Sequence, residues 1–129
     1  MTGSNLFSIN RDSEDFKRSF NKLYKATAKG SQQKLLDKLE EVLKGLVDQP
    51  RPAKSRQEPV PKKLTLPPCY EFRKIEFAID RGAAGQIRLM YLLDIDSRII
   101  TSLWIYSHKQ FSRRPADKDI SRVVSEIIE

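Results

Sequence analysis

A chain of 129 residues carries 24 Lys+Arg against 17 Asp+Glu, a formal excess of +7, with 39% apolar and 32% charged residues. That size fits one domain, 1–129, around one core and leaves no room for two catalytic domains. A single cysteine, Cys69, excludes an intramolecular disulfide and a multi-cysteine zinc site, and a single histidine, His108, excludes a His-rich cluster, so neither metal nor cofactor is expected. No apolar run approaches the roughly 18 residues that span a bilayer, and Met1–Asn10 lacks the pattern of a signal peptide, so a cytoplasmic protein with no membrane partner is expected.

The charge is uneven. Residues 1–49 carry +2, residues 50–74 carry +5, residues 75–106 carry −1 and residues 107–129 carry +1. Arg51, Lys54, Arg56, Lys62, Lys63, Arg73 and Lys74 hold most of the surplus, and Lys109, Arg113 and Arg114 form a smaller block. Such an excess favours a polyanionic partner without naming it.

In chain order, Leu6-Phe7-Ser8-Ile9 alternates like a short edge strand. Phe16, Phe20, Leu23 and Tyr24 then fall at helical spacing after Asp12 or Ser13 as N-cap. Gly30-Ser31 interrupts the pattern, and Leu35, Leu36, Leu39, Val42, Leu43, Leu46 and Val47 write a second helix ending before Pro50. Six of the seven prolines fall in 48–69, which predicts a basic loop of about twenty residues. Three strands follow. Tyr70 to Ile79 changes phase between Phe72 and Ile75, which predicts a bulge near Arg73-Lys74. Gln86 to Leu93 alternates with Arg88 as its one charge, and Arg98 to Ser107 is apolar in both phases, as a central strand is. Pro115 is placed to open a last helix whose stripe is Ile120, Val123, Val124, Ile127 and Ile128.

These elements predict an α+β fold: an antiparallel sheet of three to four strands, two N-terminal helices packed on one face, and a C-terminal helix. Arg88 is the position with most chemical content, because a mid-strand arginine among apolar residues needs a carboxylate or an anion-binding cleft. The run Trp104 to Arg114 interleaves aromatics with cations and the histidine, joining stacking surfaces to phosphate contacts and a group that titrates near neutral pH. No G-x-S-x-G elbow and no nucleotide-binding glycine motif is present.

In this order of elements the chain resembles the RelE/ParE-type toxins of bacterial toxin–antitoxin modules, including their HigB-like branch. The resemblance lies in Phe16 to Leu23, Glu58-Pro59 to Leu64, the strand Tyr70-Glu71-Phe72-Arg73-Lys74-Ile75-Glu76-Phe77, the strand Gln86-Ile87-Arg88-Leu89-Met90-Tyr91, the strand Ile105-Tyr106-Ser107-His108-Lys109-Gln110-Phe111 and the helix start Pro115 to Ile120. It implies a microbial RNase fold, an antitoxin protein as partner, and, as in ribosome-dependent members, metal-free cutting of mRNA by 2′-OH attack on the adjacent phosphate. By matching position it implies catalytic roles for Arg88, Arg73 and His108 or Lys109. Base stacking would fall to Tyr106 or Phe111, and backbone contacts to Lys62, Lys63, Lys74, Arg113 and Arg114. Phe111 stands near where family nucleases often carry a catalytic tyrosine, and the 48–69 loop is longer than compact members need. Two other readings remain open: a ParE-like, non-enzymatic toxin that binds a topoisomerase, and a non-toxic RNA- or protein-binding relative.

Overall fold

The structure, a computed structural model, describes residues 6–128. Five strands and three helices run in the order β1 (Ser8–Asn10), α1 (Glu14–Ala26), α2 (Gln32–Asp48), β2 (Ser55–Gln57), β3 (Tyr70–Ala78), β4 (Gln86–Asp94), β5 (Ile99–Ser107) and α3 (Asp117–Ile128). They build a mixed sheet of spatial order β1-β5-β4-β3-β2, in which β1 pairs parallel to β5 and the other pairs are antiparallel.

The α+β class and the helix positions agree with the sequence pattern, with two differences of architecture. The proline-rich segment is not structureless: between Pro52 and Pro59 it adds β2 to the edge of the sheet, Ser55 lying opposite Ile75 and Gln57 opposite Arg73. An edge strand tolerates flanking prolines because one row of its backbone groups needs no partner. The second difference is that β1 joins parallel to β5, so the sheet is mixed rather than purely antiparallel; α3 lies on the opposite face from α1 and α2, so both faces of the sheet are covered. One core joins Phe16, Leu23, Leu35, Leu39, Leu43 and Leu46 of the first two helices to Ile75, Phe77, Ile87, Leu89, Tyr91 and Leu93. The other joins Ile120, Val123 and Val124 of α3 to Phe72, Met90, Leu92, Leu103 and Tyr106.

Two-sided burial explains the phase change in β3. The predicted bulge near Arg73-Lys74 is absent: β3 and β4 pair without interruption from Tyr70 opposite Asp94 to Ala78 opposite Gln86. Phe72 serves the α3 core, while Ile75 and Phe77 serve the other. The irregularity lies instead between β4 and β5, where Trp104 opposes Met90 and Ser102 opposes Tyr91, leaving Leu103 as the extra residue. That bulge puts Leu103 on the α3 side with Tyr106, while Ile100 and Ile105 fill the α1–α2 core.

The outer edge of β5 is paired by β1 only over Ile99 to Thr101. Beyond it, side chains take over: Ser13 Oγ donates to Ser102 O at 3.2 Å, Ile105 N–H donates to Ser19 Oγ at 3.0 Å, and Ser107 N–H donates to Gln110 Oε1 at 3.0 Å. Ser13 is also the N-cap of α1, accepting from Phe16 N–H, so one residue starts the helix and fastens it to the sheet. The turn between β3 and β4 depends on Gly85, where a Cβ would fall 2.3 Å from Asp80 O. The last helix begins at Asp117 rather than at Pro115, with Ala116 O accepting from Asp119 and Ile120.

Ser19 is buried and its hydroxyl donates to Phe16 O while accepting from Ile105 N–H. Ser19→Ala strands that strand amide in the core and should lower the unfolding free energy by about 1–3 kcal/mol. Urea denaturation should show a lower midpoint with an unchanged slope.

Candidate functional site

Arg88 lies on β4 between Glu76 of β3 and Tyr106 of β5, its direct cross-strand neighbours, on the face that α3 covers. α3 stops short of it. The guanidinium therefore reaches the rim, where Nε donates to Glu76 Oε2 at 3.1 Å and Nη1 donates to the carbonyls of Ser112 at 3.2 Å and Arg113 at 3.5 Å. In front of it opens a cleft of about 620 Å³ whose charged lining residues are Lys74, Arg88, Arg113, Arg114, Glu58 and Asp117.

Glu58 organises the far wall. Its carboxylate is almost wholly buried and takes Lys74 Nζ on Oε1 at 3.0 Å and Arg114 Nη1 on Oε2 at 3.0 Å. Arg114 also donates to Pro59 O at 2.8 Å and to Asp117 Oδ1 at 2.9 Å, and its guanidinium lies 6.0 Å from the centre of the Phe72 ring. Lys74 and Arg114 are thus held and neutralised. Arg113 is exposed and has no ion pair among the described residues, so it is the cation of the cleft most available to an incoming anion. Sequence reasoning missed Glu58 as a site residue. The available signal was that it is the sole carboxylate between Asp48 and Glu71, in the most basic segment of the chain.

Tyr106 lies behind the cleft, in the neighbouring hollow, and reaches it only through the Arg113 carbonyl. Its ring is 1% exposed and meets Phe111 edge-on at 5.5 Å, and its hydroxyl donates to Arg113 O at 3.2 Å. Burial pushes the phenol from its usual value near 10 up to about 12, against the opposing pull of Arg88. At neutral pH it is a proton donor. So buried a ring offers no stacking surface, which corrects the expectation that Tyr106 stacks a base. Phe111, 36% exposed, retains that capacity.

Arg73 does not share the cleft. It pairs with Tyr91, on the opposite side of the sheet from Arg88 and Glu76, because the register through β3 is unbroken. There Nε donates to Ser55 Oγ at 2.9 Å, Nη2 to Ser55 O at 3.3 Å and Nη1 to Glu71 Oε1 at 3.2 Å. Tyr91 hydroxyl donates to Pro50 O and bonds Ser55 Oγ. Arg51 also grips Glu71, and these hydrogen bonds, Arg51's first, hold the Glu71 carboxyl below the usual carboxylate range. The cluster fastens the proline-rich segment to the sheet, which corrects the placement of Arg73 in a common site with Arg88.

The remaining expected residues are dispersed. His108 N–H extends the ladder to Gln86 O at 2.9 Å, two residues past Tyr106, and its Nδ1 is buried with no hydrogen-bond partner among the described residues. Neither His108 nor Lys109 lines the Arg88 cleft. Lys109 borders a hollow beside the C-terminal end of α1, with Leu23, Ala26, Thr27 and Gln110. Lys62 and Lys63 are exposed in the turn closed by Leu64 N–H to Pro61 O and do not line the cleft either.

The chain is thus an α+β protein whose two-sided sheet opens at its rim on a cleft that bears Arg88. Among solved structures the chain is similar to a double arginine-to-alanine variant of the E. coli toxin RelE in the free state, with a TM-score of 0.51 and 13% identity, covering 95% of this chain and 98% of that one. The fold is therefore RelE-like, with a fifth strand beyond the three to four expected. No family model matches the sequence, and neither does any curated protein. No helix among the described residues is long and apolar enough to cross a membrane.

The two arginines should separate experimentally. Arg73→Ala should lower the unfolding free energy by about 1.5–3 kcal/mol, the range for hydrogen bonds to charged partners. Arg88→Ala should cost less, because its carboxylate partner Glu76 is more than half exposed, as read by denaturation of the two variants side by side.

The Tyr106 phenol has a raised value in the folded state, so its contribution is whole below pH 10 and is lost as pH climbs toward 12. Stability should fall by about 2–3 kcal/mol across that window, since each tenfold change in proton affinity between folded and unfolded chain is worth roughly 1.4 kcal/mol. Tyr106→Phe should flatten that part of the curve, followed by denaturation at stepped alkaline pH.

Proposed function

We propose that this chain is a RelE-type toxin acting as a metal-independent endoribonuclease on ribosome-bound mRNA and held in check by an antitoxin protein. The observation that carries the reading is the position of Arg88: a largely buried guanidinium on the central part of a RelE-like sheet, opening onto a cation-bearing cleft whose other ligands are a carboxylate and two carbonyls.

In this reaction the ribose 2′-oxygen attacks the adjacent phosphorus, the P–O5′ bond breaks, and the products are a 2′,3′-cyclic phosphate and a 5′-hydroxyl. The 2′-hydroxyl proton goes to a base and the departing 5′-oxygen receives one from an acid. Arg88 replaces Glu76 and the Ser112 and Arg113 carbonyls with the non-bridging phosphate oxygens, where its charge is worth most as negative charge builds on phosphorus. Arg113 supplies the second cation, and Lys74 and Arg114 hold the backbone of the entering strand. Phe111 offers the exposed ring for a base, while His108 and Lys109, which lie outside the cleft, are not assigned the proton transfer. Tyr106, its hydroxyl donated to the Arg113 carbonyl, positions the turn that carries Arg113.

Controlled expression followed by mapping of mRNA 5′ ends tests the proposal. The wild-type chain should arrest growth and cut translated messages, leaving 5′-hydroxyl ends, and Arg88→Ala should reduce cutting by about 10²–10³-fold, the usual loss for a transition-state donor. Intact messages in wild-type cells would refute it. Arrest that persists in an Arg88→Ala, His108→Ala double variant with uncut mRNA would point instead to a ParE-like protein inhibitor.

A further inference from the structure

A second basic surface lies outside the cleft. From Lys17 to Lys29 the chain holds five cations and no acid, a block concealed in the sequence by the acids on either side of it. Arg18, Lys22 and Lys25 fall at i, i+4 and i+7 on α1, all exposed, and Lys29 follows in the short turn after the helix. Arg18 has only Asp15 within range, at 3.5 Å, while Lys22, Lys25 and Lys29 have no ion pair among the described residues. Lys109 adjoins the same end of α1 through the hollow it shares with Leu23, Ala26 and Thr27.

The helix does not require these charges. A cation is favourable in the last turn, which accounts for Lys25, but not in the first half, where Arg18 stands. Like charges at i, i+3 and i, i+4 oppose helix formation. No large apolar side chain of α1 is exposed: those that are exposed elsewhere are Leu6, Val60, Ile99 and Phe111. A protein partner needs an apolar anchor at the centre of its contact, and lysine is depleted there. A phosphate backbone needs only spaced cations.

The surface is joined to the cleft. A hollow of about 330 Å³ between α1, β5 and α3 has Arg18, Lys22 and Arg122 as its cations and Asp15 and Asp119 as its acids, and in it Phe111 rests on Tyr106, whose hydroxyl meets the Arg113 carbonyl of the cleft. We infer that the Arg18–Lys29 face of α1, with Lys109, is a second RNA-backbone contact, which grips structured RNA beside the strand presented to Arg88. This rests on the reading that the chain acts on RNA, but it requires no cleavage.

The test is binding of a fluorescent RNA hairpin of arbitrary sequence at several salt concentrations to the full chain and to a Lys22→Gln, Lys25→Gln, Lys29→Gln variant, with circular dichroism melting to verify folding. The variant should melt like the wild type, bind at least tenfold more weakly, and show a slope of log K against log salt reduced by roughly two to three units for three lost contacts. Arg88→Ala should keep most of the hairpin affinity while losing any cutting. Unchanged affinity and slope in the lysine variant would overturn the inference, as would equal loss of binding to a poly-glutamate peptide that competes with RNA. Hairpin binding by a wild-type chain that cuts no message would leave this surface standing and remove the nuclease.

Discussion

Arg88 stands in a strand whose other residues from Ile87 to Leu93 are all buried, and its charge must be answered there. Taking a guanidinium out of water costs several kcal/mol unless hydrogen-bonded partners replace the solvent. The fold supplies them at one place, the rim where the Ser112 to Ala116 turn passes over Arg88 and α3 begins. The surrounding charges follow from that need. Glu76 sits directly opposite on β3, the turn contributes carbonyls, and Glu58 and Asp117 hold Arg114 so that the turn keeps its position.

Much of this was legible from the pattern of residues. Helix α1 and its serine cap, the apolar stripe of α2, the three long strands and the isolation of Arg88 all follow from local periodicity, which depends on near neighbours in the chain. Parity across strands does not. Arg73 and Arg88 each look like a cation set among apolar residues, and only the register of β3 against β4 tells that they face opposite ways. The phase change between Phe72 and Ile75 invited a bulge because alternation assumes one buried face. With helices on both sides, either parity can be apolar and a strand can change faces without changing geometry.

Strand β2 was concealed for a different reason. Proline density marks the flanks of a segment as well as its interior, and three residues with no apolar content give no periodic signal. Its pairing is secured by non-local contacts: Arg73 and Tyr91 bond to Ser55, and Glu58 N–H continues the ladder to Phe72 O at 2.8 Å. The same segment then delivers Glu58 into the cleft. The long loop is thus a strand that carries a wall of the site, and its length is what lets it travel from one face of the sheet to the other.

The excess of +7 and the cleft are separate matters. Inside the cleft, Lys74 and Arg114 share Glu58, Arg114 adds Asp117, and Arg88 has Glu76, so cations and carboxylates nearly balance. The uncompensated charge lies on Arg113 at the cleft and, around it, on Lys62 and Lys63 and along α1. Such an arrangement divides the work by distance. Exposed cations act through the long-range field, raise the encounter rate with a polyanion and weaken with salt. In the proposed reaction the compensated cleft acts only at contact, by exchanging a carboxylate and carbonyls for phosphate oxygens at little net desolvation cost. A site built in this way need not bind phosphate tightly in the ground state. Arg88 can hold its partners at rest and give its full charge to whichever oxygen becomes most negative.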